Sequence, residues 1–465
     1  MSGGAIAPAV EARSSLAPLR DPALLALLGM VATLPLARPS LLSLGASSLQ
    51  VTDVLLGSAW VAWAIRAARG RAPARPDLIL VAGTVFVLVL AGSVLASPTG
   101  TAGSVAKLTA YGGYVLLPWL MVQLLNDPER LAWAVGAWLI GTLVAVGIAL
   151  GGILSFAIDP DALTSLGCVY GRLPAGPYPR VCIPFRNPNL FANYLTASGP
   201  LLLACGGFLL HRRWARRAAV SGTVLAAVST LSTGIGGFGL AMSLTSARTR
   251  GTDPRRDAVR AVLVAMGIVA AVGFAAATVG RVVPAGRGHV PLGEAEFHFL
   301  RGPRVHTWLT AAATVREHPV LGTGYGTLVA RTPGRDLSRW FAMDLLAPFR
   351  EPGQRVADAH NTWLSVAAQG GLLGLAAFVV LLVVLWRRIS FRPAPSLGRL
   401  AGLPPAAAAG IVGALLFHGL FASAEEFRHL WPLFGLAQAA HALPAGEAAT
   451  RGTTPASSAR RPPSR

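Results

Sequence analysis

DLILVAGTVFVLVLAGSVLA, residues 77–96, holds one charged side chain, at its first position, and nineteen uncharged residues after it. A helix of that length rises about 30 Å, the thickness of a bilayer's hydrocarbon core. Outward from it, apolar runs of roughly 18 to 25 residues recur along the chain. They lie near 22–37, 49–66, 77–96, 104–125, 130–157, 187–210, 217–232, 233–247, 258–280, 360–386, 404–422 and 427–443. The seventh and eighth meet at Ser232-Thr233-Gly234 and form either a tight hairpin or one broken helix. The pattern predicts an all-α, polytopic integral membrane protein with about 12 transmembrane helices.

Composition agrees. Of 465 residues, 53% are hydrophobic and 13% charged, and the mean hydropathy is +0.56. A soluble chain of this length would need a more charged surface. The 52 glycines and 34 prolines are tolerated because neighbouring helices and polar side chains re-satisfy the backbone groups they free. The net charge of +20 sits in short clusters between apolar runs, as in HRRWARR (211–217) and RTRGTDPRR (248–256). That placement suits the positive-inside rule and not a nucleic-acid groove. The first run, Ala23 to Leu36, follows no strong basic n-region and no persuasive small-residue cleavage site, and reads as a retained span.

With both termini in the cytoplasm, most of the 40 Lys and Arg fall on the cytoplasmic side, and Ser97 to Ser104, outside, carries none. The reading divides the chain into helices one to nine over 1–280, with a periplasmic loop near 158–186. A large periplasmic loop follows over 281–359, then helices ten to twelve over 360–443 and a disordered cytoplasmic tail over 444–465. A loop as long as 281–359 is uncommon unless it is functional. It is expected to contain a helix from Pro303 to Glu317, stopped by Pro319 and followed by the turn Gly322-Thr323-Gly324-Tyr325-Gly326. Cys168 and Cys182 share the first long outer segment. An oxidising compartment permits a disulfide there, although two cysteines in one loop also occur unpaired.

Candidate chemistry gathers where outer segments meet spans. Arg186 opens RNPNLFANYL, Arg304 opens RVHTWL, and His360 opens HNTWLSVAAQGGLLG. Arg186 and Leu190 are one helical turn apart; His360 and Gly371 are close to three turns apart, which would set them on one face of a continuous helix. A glycine at 371 would admit a close neighbour below the histidine. Lys107 is a further candidate phosphate contact, and Glu425 and Glu426 could orient an acceptor or His360. The plain alternatives are snorkelling anchors for the cations, a helix cap for the histidine and a solvated turn for the glutamates. The outer segments show no His/Asp cluster with metal-site spacing.

The patterns Arg-x3-Leu (Arg186, Leu190) and His-x10-Gly (His360, Gly371), separated by a large outer loop, resemble those of the bacterial O-antigen ligase and polymerase superfamily. The stretch RVHTWLTAAATVREHPVLGTGYG is similar to that family's loop helix and the turn after it. One element departs: where the family often has Ser-Arg-Gly between the seventh and eighth spans, this chain has Ser232-Thr233-Gly234. The resemblance implies an inner-membrane glycosyltransferase with a periplasmic active site, without cofactor or metal. Its donor would be a glycan on undecaprenyl diphosphate and its acceptor the lipid A-core, both presented among membrane lipids. Arg186 and Arg304 would bind the diphosphate as bidentate forks, and His360 would act as general base. A polymerase or a protein O-oligosaccharyltransferase would share this chemistry. A flippase would place ionisable groups near the midplane of repeated halves; here the spans read as nearly uncharged inside, with no internal repeat.

Overall fold

The computed structural model describes residues 20–37, 41–44, 47–71, 76–98, 102–159, 161–162, 168, 171–173, 176–185, 187–230, 232, 234–249, 303–326, 359–390, 411–413, 415, 418–420, 422–423 and 427–443. Their regular structure is helical apart from two antiparallel pairs of three-residue strands. β1 (Leu42–Leu44) pairs with β2 (Ser47–Leu49), Leu42 opposite Leu49. β3 (Gly171–Leu173) pairs with β4 (Gly176–Tyr178), Gly171 opposite Tyr178.

Short polar caps set the helix starts. α1 (Pro22–Thr33) begins at Asp21, whose carboxylate accepts from the Ala23 amide at 3.1 Å. α2 (Val51–Ala68) begins at Gln50, where the backbone amide of Gln50 donates to Asp53 Oδ2 at 2.8 Å. α3 (Leu78–Ala96) begins at Asp77, which accepts from the amides of Ile79 and Leu80 at 3.0 and 3.1 Å. α6 (Pro128–Ile158) is capped by Asp127 and α7 (Pro188–Cys205) by Asn187. In α1, α6 and α7 the residue after the cap is proline, whose fixed φ suits the first helical position and whose missing N–H costs nothing there.

The run expected as one span over 104–125 is two helices, α4 (Ala102–Val115) and α5 (Leu117–Leu124), bent by 41°. Pro118 explains the break, since its ring conflicts with the carbonyl four residues earlier and it has no N–H to continue the ladder. After α7 come α8 (Arg213–Ser229) and α9 (Gly234–Thr249). They are separate helices, and α9 packs along α7, where a Cβ at Gly199 would lie 2.6 Å from the Phe238 ring. α10 (Pro303–Glu317) has the bounds read from the sequence. α11 (Thr362–Ser390) and α12 (Leu430–Ala442) complete the described helices.

At one end of the helix group Asp21 draws together Arg66 at the end of α2 and Arg130 in the first turn of α6. Cys168 and Cys182 are disulfide-bonded, with Phe156 and Ile183 packed around them. Four described helices (α2, α3, α6 and α11) are long and apolar enough to cross a membrane, or five if α4 with α5 is one span. The expected span at 258–280 lies outside the described residues, as does most of the one at 404–422.

Candidate active site

The site is organised by a break in α11. Gly371 has φ +68°, a non-helical conformation that glycine adopts freely. A Cβ there would sit 2.0 Å from the carbonyl oxygen of Val320, so the backbone of 319–324 occupies that space. In an unbroken helix the amides of Leu372 and Leu373 would bond the carbonyls of Ala368 and Gln369. Instead Leu372 N–H donates to Pro319 O (2.7 Å) and Leu373 N–H to Val320 O (3.3 Å). The amides of Thr323 and Gly324 donate to Ala368 O and Gln369 O, both at 3.0 Å. All four groups that the break would orphan are thus satisfied by the glycine-rich turn, as burial requires. The Gln369 side chain adds a bond by accepting from the Gly326 amide at 2.7 Å.

This interlock holds the helix before the turn, α10, against the start of α11. Thr307 Oγ1 donates to Ala359 O (3.4 Å) and Trp308 Nε1 to His360 O (3.3 Å). Arg304 stands three and four residues before these donors, one turn earlier on the same helix. His360 has φ +46°, left-handed backbone uncommon outside glycine, and costing about 1–2 kcal/mol per residue. It lies before the helix, and Gly371 interrupts it, so the three-turn spacing does not set the two on one helical face; what approaches Gly371 is the Val320 backbone.

Beyond His360 the chain grips the segment that leads into α12. Thr362 N–H donates to Gly419 O (2.7 Å), Asn361 Nδ2 to Leu420 O (3.0 Å) and Thr362 Oγ1 to Ala422 O (3.0 Å). That segment is tied in turn to the start of α7 through Asn193, which is fully buried. Asn193 Nδ2 meets His418 Nδ1 at 2.7 Å, and its Oδ1 meets His429 Nε2 at 2.7 Å. His429 also stands edge-on to the rings of Phe185 and Tyr194, at 6.3 and 5.6 Å. Phe185 immediately precedes Arg186.

A second polar group runs along α4. Tyr114 Oη donates to Asp53 Oδ1 (3.0 Å), Arg428 pairs with Asp53 Oδ2 (3.0 Å), and the Arg428 guanidinium lies 5.8 Å from the Tyr114 ring centroid. Towards the other end of the helix Lys107 Nζ sits 5.0 Å over the ring of Tyr325, within the glycine-rich turn, and Tyr325 stacks on Tyr111. The interior of the apolar runs is therefore less uncharged than the sequence reading held: Asp53, inside the run 49–66, and Arg428, inside 427–443, form an ion pair.

Of the residues expected from sequence, the structure brings His360, the helix bearing Arg304 and Gly371 together through the turn at 319–326. Lys107 touches the far side of that turn. Leu190 packs against the main apolar core. Arg186, Glu425, Glu426 and the side chain of Arg304 lie outside the described residues. Among the described residues no group of three or more His, Cys, Asp or Glu is placed to hold a metal ion. Asn193, His418, His429, Asp53 and Arg428 were missed. A polar side chain within an apolar run is a signal for such residues, because burying one away from water is expensive.

The apolar helices α2, α3, α6 and α11 are those of an integral membrane protein. Residues 194–379, less than half of the chain, match the family model Wzy_C, O-antigen ligase, which supports membership of the O-antigen ligase and polymerase superfamily. No curated protein matches the chain.

Proposed function

We propose that the chain is an O-antigen ligase of the bacterial inner membrane, moving a glycan from undecaprenyl diphosphate to the lipid A-core at the periplasmic face. The observation that carries this reading is the docking of α10, which bears Arg304, on the backbone of residues 359 and 360. It lies within the family match, and α7, which follows Arg186, reaches the same region through Asn193.

In the proposed reaction the acceptor hydroxyl oxygen forms a bond to the anomeric carbon while the bond from that carbon to the diphosphate oxygen breaks. The hydroxyl proton passes to the His360 imidazole, a general base expected to contribute about 10²–10⁴-fold. Arg186 and Arg304 hold the diphosphate as planar forks and stabilise the charge that grows on it as it leaves. Diphosphate is already a good leaving group, so the step needs no metal, and direct displacement inverts the anomeric centre. The Cys168–Cys182 bond suits the oxidising side of the membrane on which this chemistry would run.

The test is transfer in vitro with purified protein, lipid-linked glycan, rough lipopolysaccharide and EDTA. Ligated lipopolysaccharide is the expected product. Lengthened carrier-linked glycan would make the protein a polymerase, and no product without added metal would overturn metal independence.

A further inference from the structure

Asn193 reaches two imidazoles from different segments, 225 and 236 positions away in the chain. Its chemistry fixes the roles of both. An amide nitrogen only donates and an amide oxygen only accepts. With the amide in this orientation, His418 Nδ1 is the bare, accepting nitrogen and His429 Nε2 carries the proton it donates. The three side chains are buried, Asn193 at 0% and both histidines at 3% exposure. They are also tightly packed: a Cβ on Gly234 at the start of α9 would meet the His418 ring at 3.0 Å.

Each arm of the cluster ends beside a residue of the proposed reaction. Along one arm, His418 is followed by Gly419, whose carbonyl accepts from Thr362, two residues after His360. Along the other, His429 abuts the ring of Phe185, the residue before Arg186. A cluster serving only to hold helices together has no reason to end at both of these places. We propose that Asn193, with His418 and His429, is a positioning clamp for the transfer reaction, tying the start of α7 to the segment that carries the base His360. All three side chains are buried, and the inference rests on the functional reading above.

A positioning role predicts a split between the kinetic constants. Donor binding uses groups that remain, whereas the geometry of attack is lost, and a misplacement of about 1 Å costs on the order of 10²-fold. Asn193→Leu, close in volume and without either bond, is expected to lower kcat by about 10- to 100-fold with the KM for lipid-linked donor within about threefold. As a control for folding, His429→Gln and His429→Leu form the second pair. A glutamine amide can donate to Asn193 Oδ1 in place of the imidazole, so His429→Gln should recover kcat to within about threefold while His429→Leu should not. In ¹⁵N spectra of histidine-labelled wild type, His418 should show a bare Nδ1 and His429 a protonated Nε2, and both signatures should be lost in Asn193→Leu.

Folded Leu variants that keep kcat within about twofold, a change confined to KM, or histidine nitrogen signals unchanged in Asn193→Leu would each overturn the clamp. The functional reading fails separately, if wild type itself transfers no glycan, and the nitrogen assignments can be read in that event too.

Discussion

Helices α3 and α7 both come from runs that read as spans, yet they are used in opposite ways. α3 is almost wholly apolar, and one of its faces is left outside the protein core: Leu78, Val81, Val85, Leu88 and Leu95 are all about half exposed or more. α7 carries Asn193, Thr196, Ser198 and Pro200, and every residue from Phe191 to Leu202 is buried. In a soluble protein the more apolar helix would be the buried one. In lipid an apolar face gains nothing by leaving the solvent, while polar and small side chains must find protein partners. Polarity within an apolar run is therefore the mark of the interior here. α3 turns its single inward serine to the same purpose, Ser93 Oγ lying 2.5 Å from both Leu321 O and Gln369 O at the break in α11.

Substitutions that add or remove atoms on the two kinds of face should separate them, with unfolding free energy in bicelles as the measurement. The largest effect is expected at Gly371→Val. Its positive φ and the Val320 backbone in the path of a Cβ leave no way to relax, and a loss above about 4 kcal/mol is expected, with transfer abolished. Next comes Gly199→Leu in α7, directed into the Phe238 ring, at about 1–3 kcal/mol. The same change at Gly92 in α3, where nothing lies within 4 Å of a Cβ, should cost within about 0.5 kcal/mol. Ser198→Ala removes the acceptor of the buried Trp138 Nε1 at 2.9 Å and should cost about 1–3 kcal/mol. Leu88→Ala, on the exposed face of α3, should stay within about 0.5 kcal/mol. Equal losses at Gly199 and Gly92 would erase the distinction between the two helices.

Much of this architecture is legible in the residues. Asp77, Asp127 and Asn187 stand at the starts of apolar runs and become caps, and Pro303 to Glu317 reads as a helix because proline bounds it on both sides. The bend after α4 was not read, since Leu116 to Leu125 is apolar enough to continue a span and only Pro118 argues against it. The break at Gly371 was hidden for a different reason. Nothing in 360–386 forbids a continuous helix; what stabilises the break is a set of backbone groups near residue 320, about 50 positions away. At the site, the proximity of α10 to His360 could be anticipated by resemblance to a family. The Asn193 cluster and the Asp53–Arg428 pair could not be placed by spacing, because their members lie hundreds of residues apart and share no periodicity. Their single trace in the sequence is a polar residue where an apolar one would be the simpler choice.

The most direct measurement is a single-turnover transfer assay on His360→Ala, with binding of the lipid-linked donor measured in parallel. A general base that touches only the acceptor predicts donor affinity within about threefold of wild type and transfer reduced by at least about 10²-fold. Transfer at an undiminished rate from a folded His360→Ala protein would contradict the account, because the proposed general base would then play no part in the chemistry.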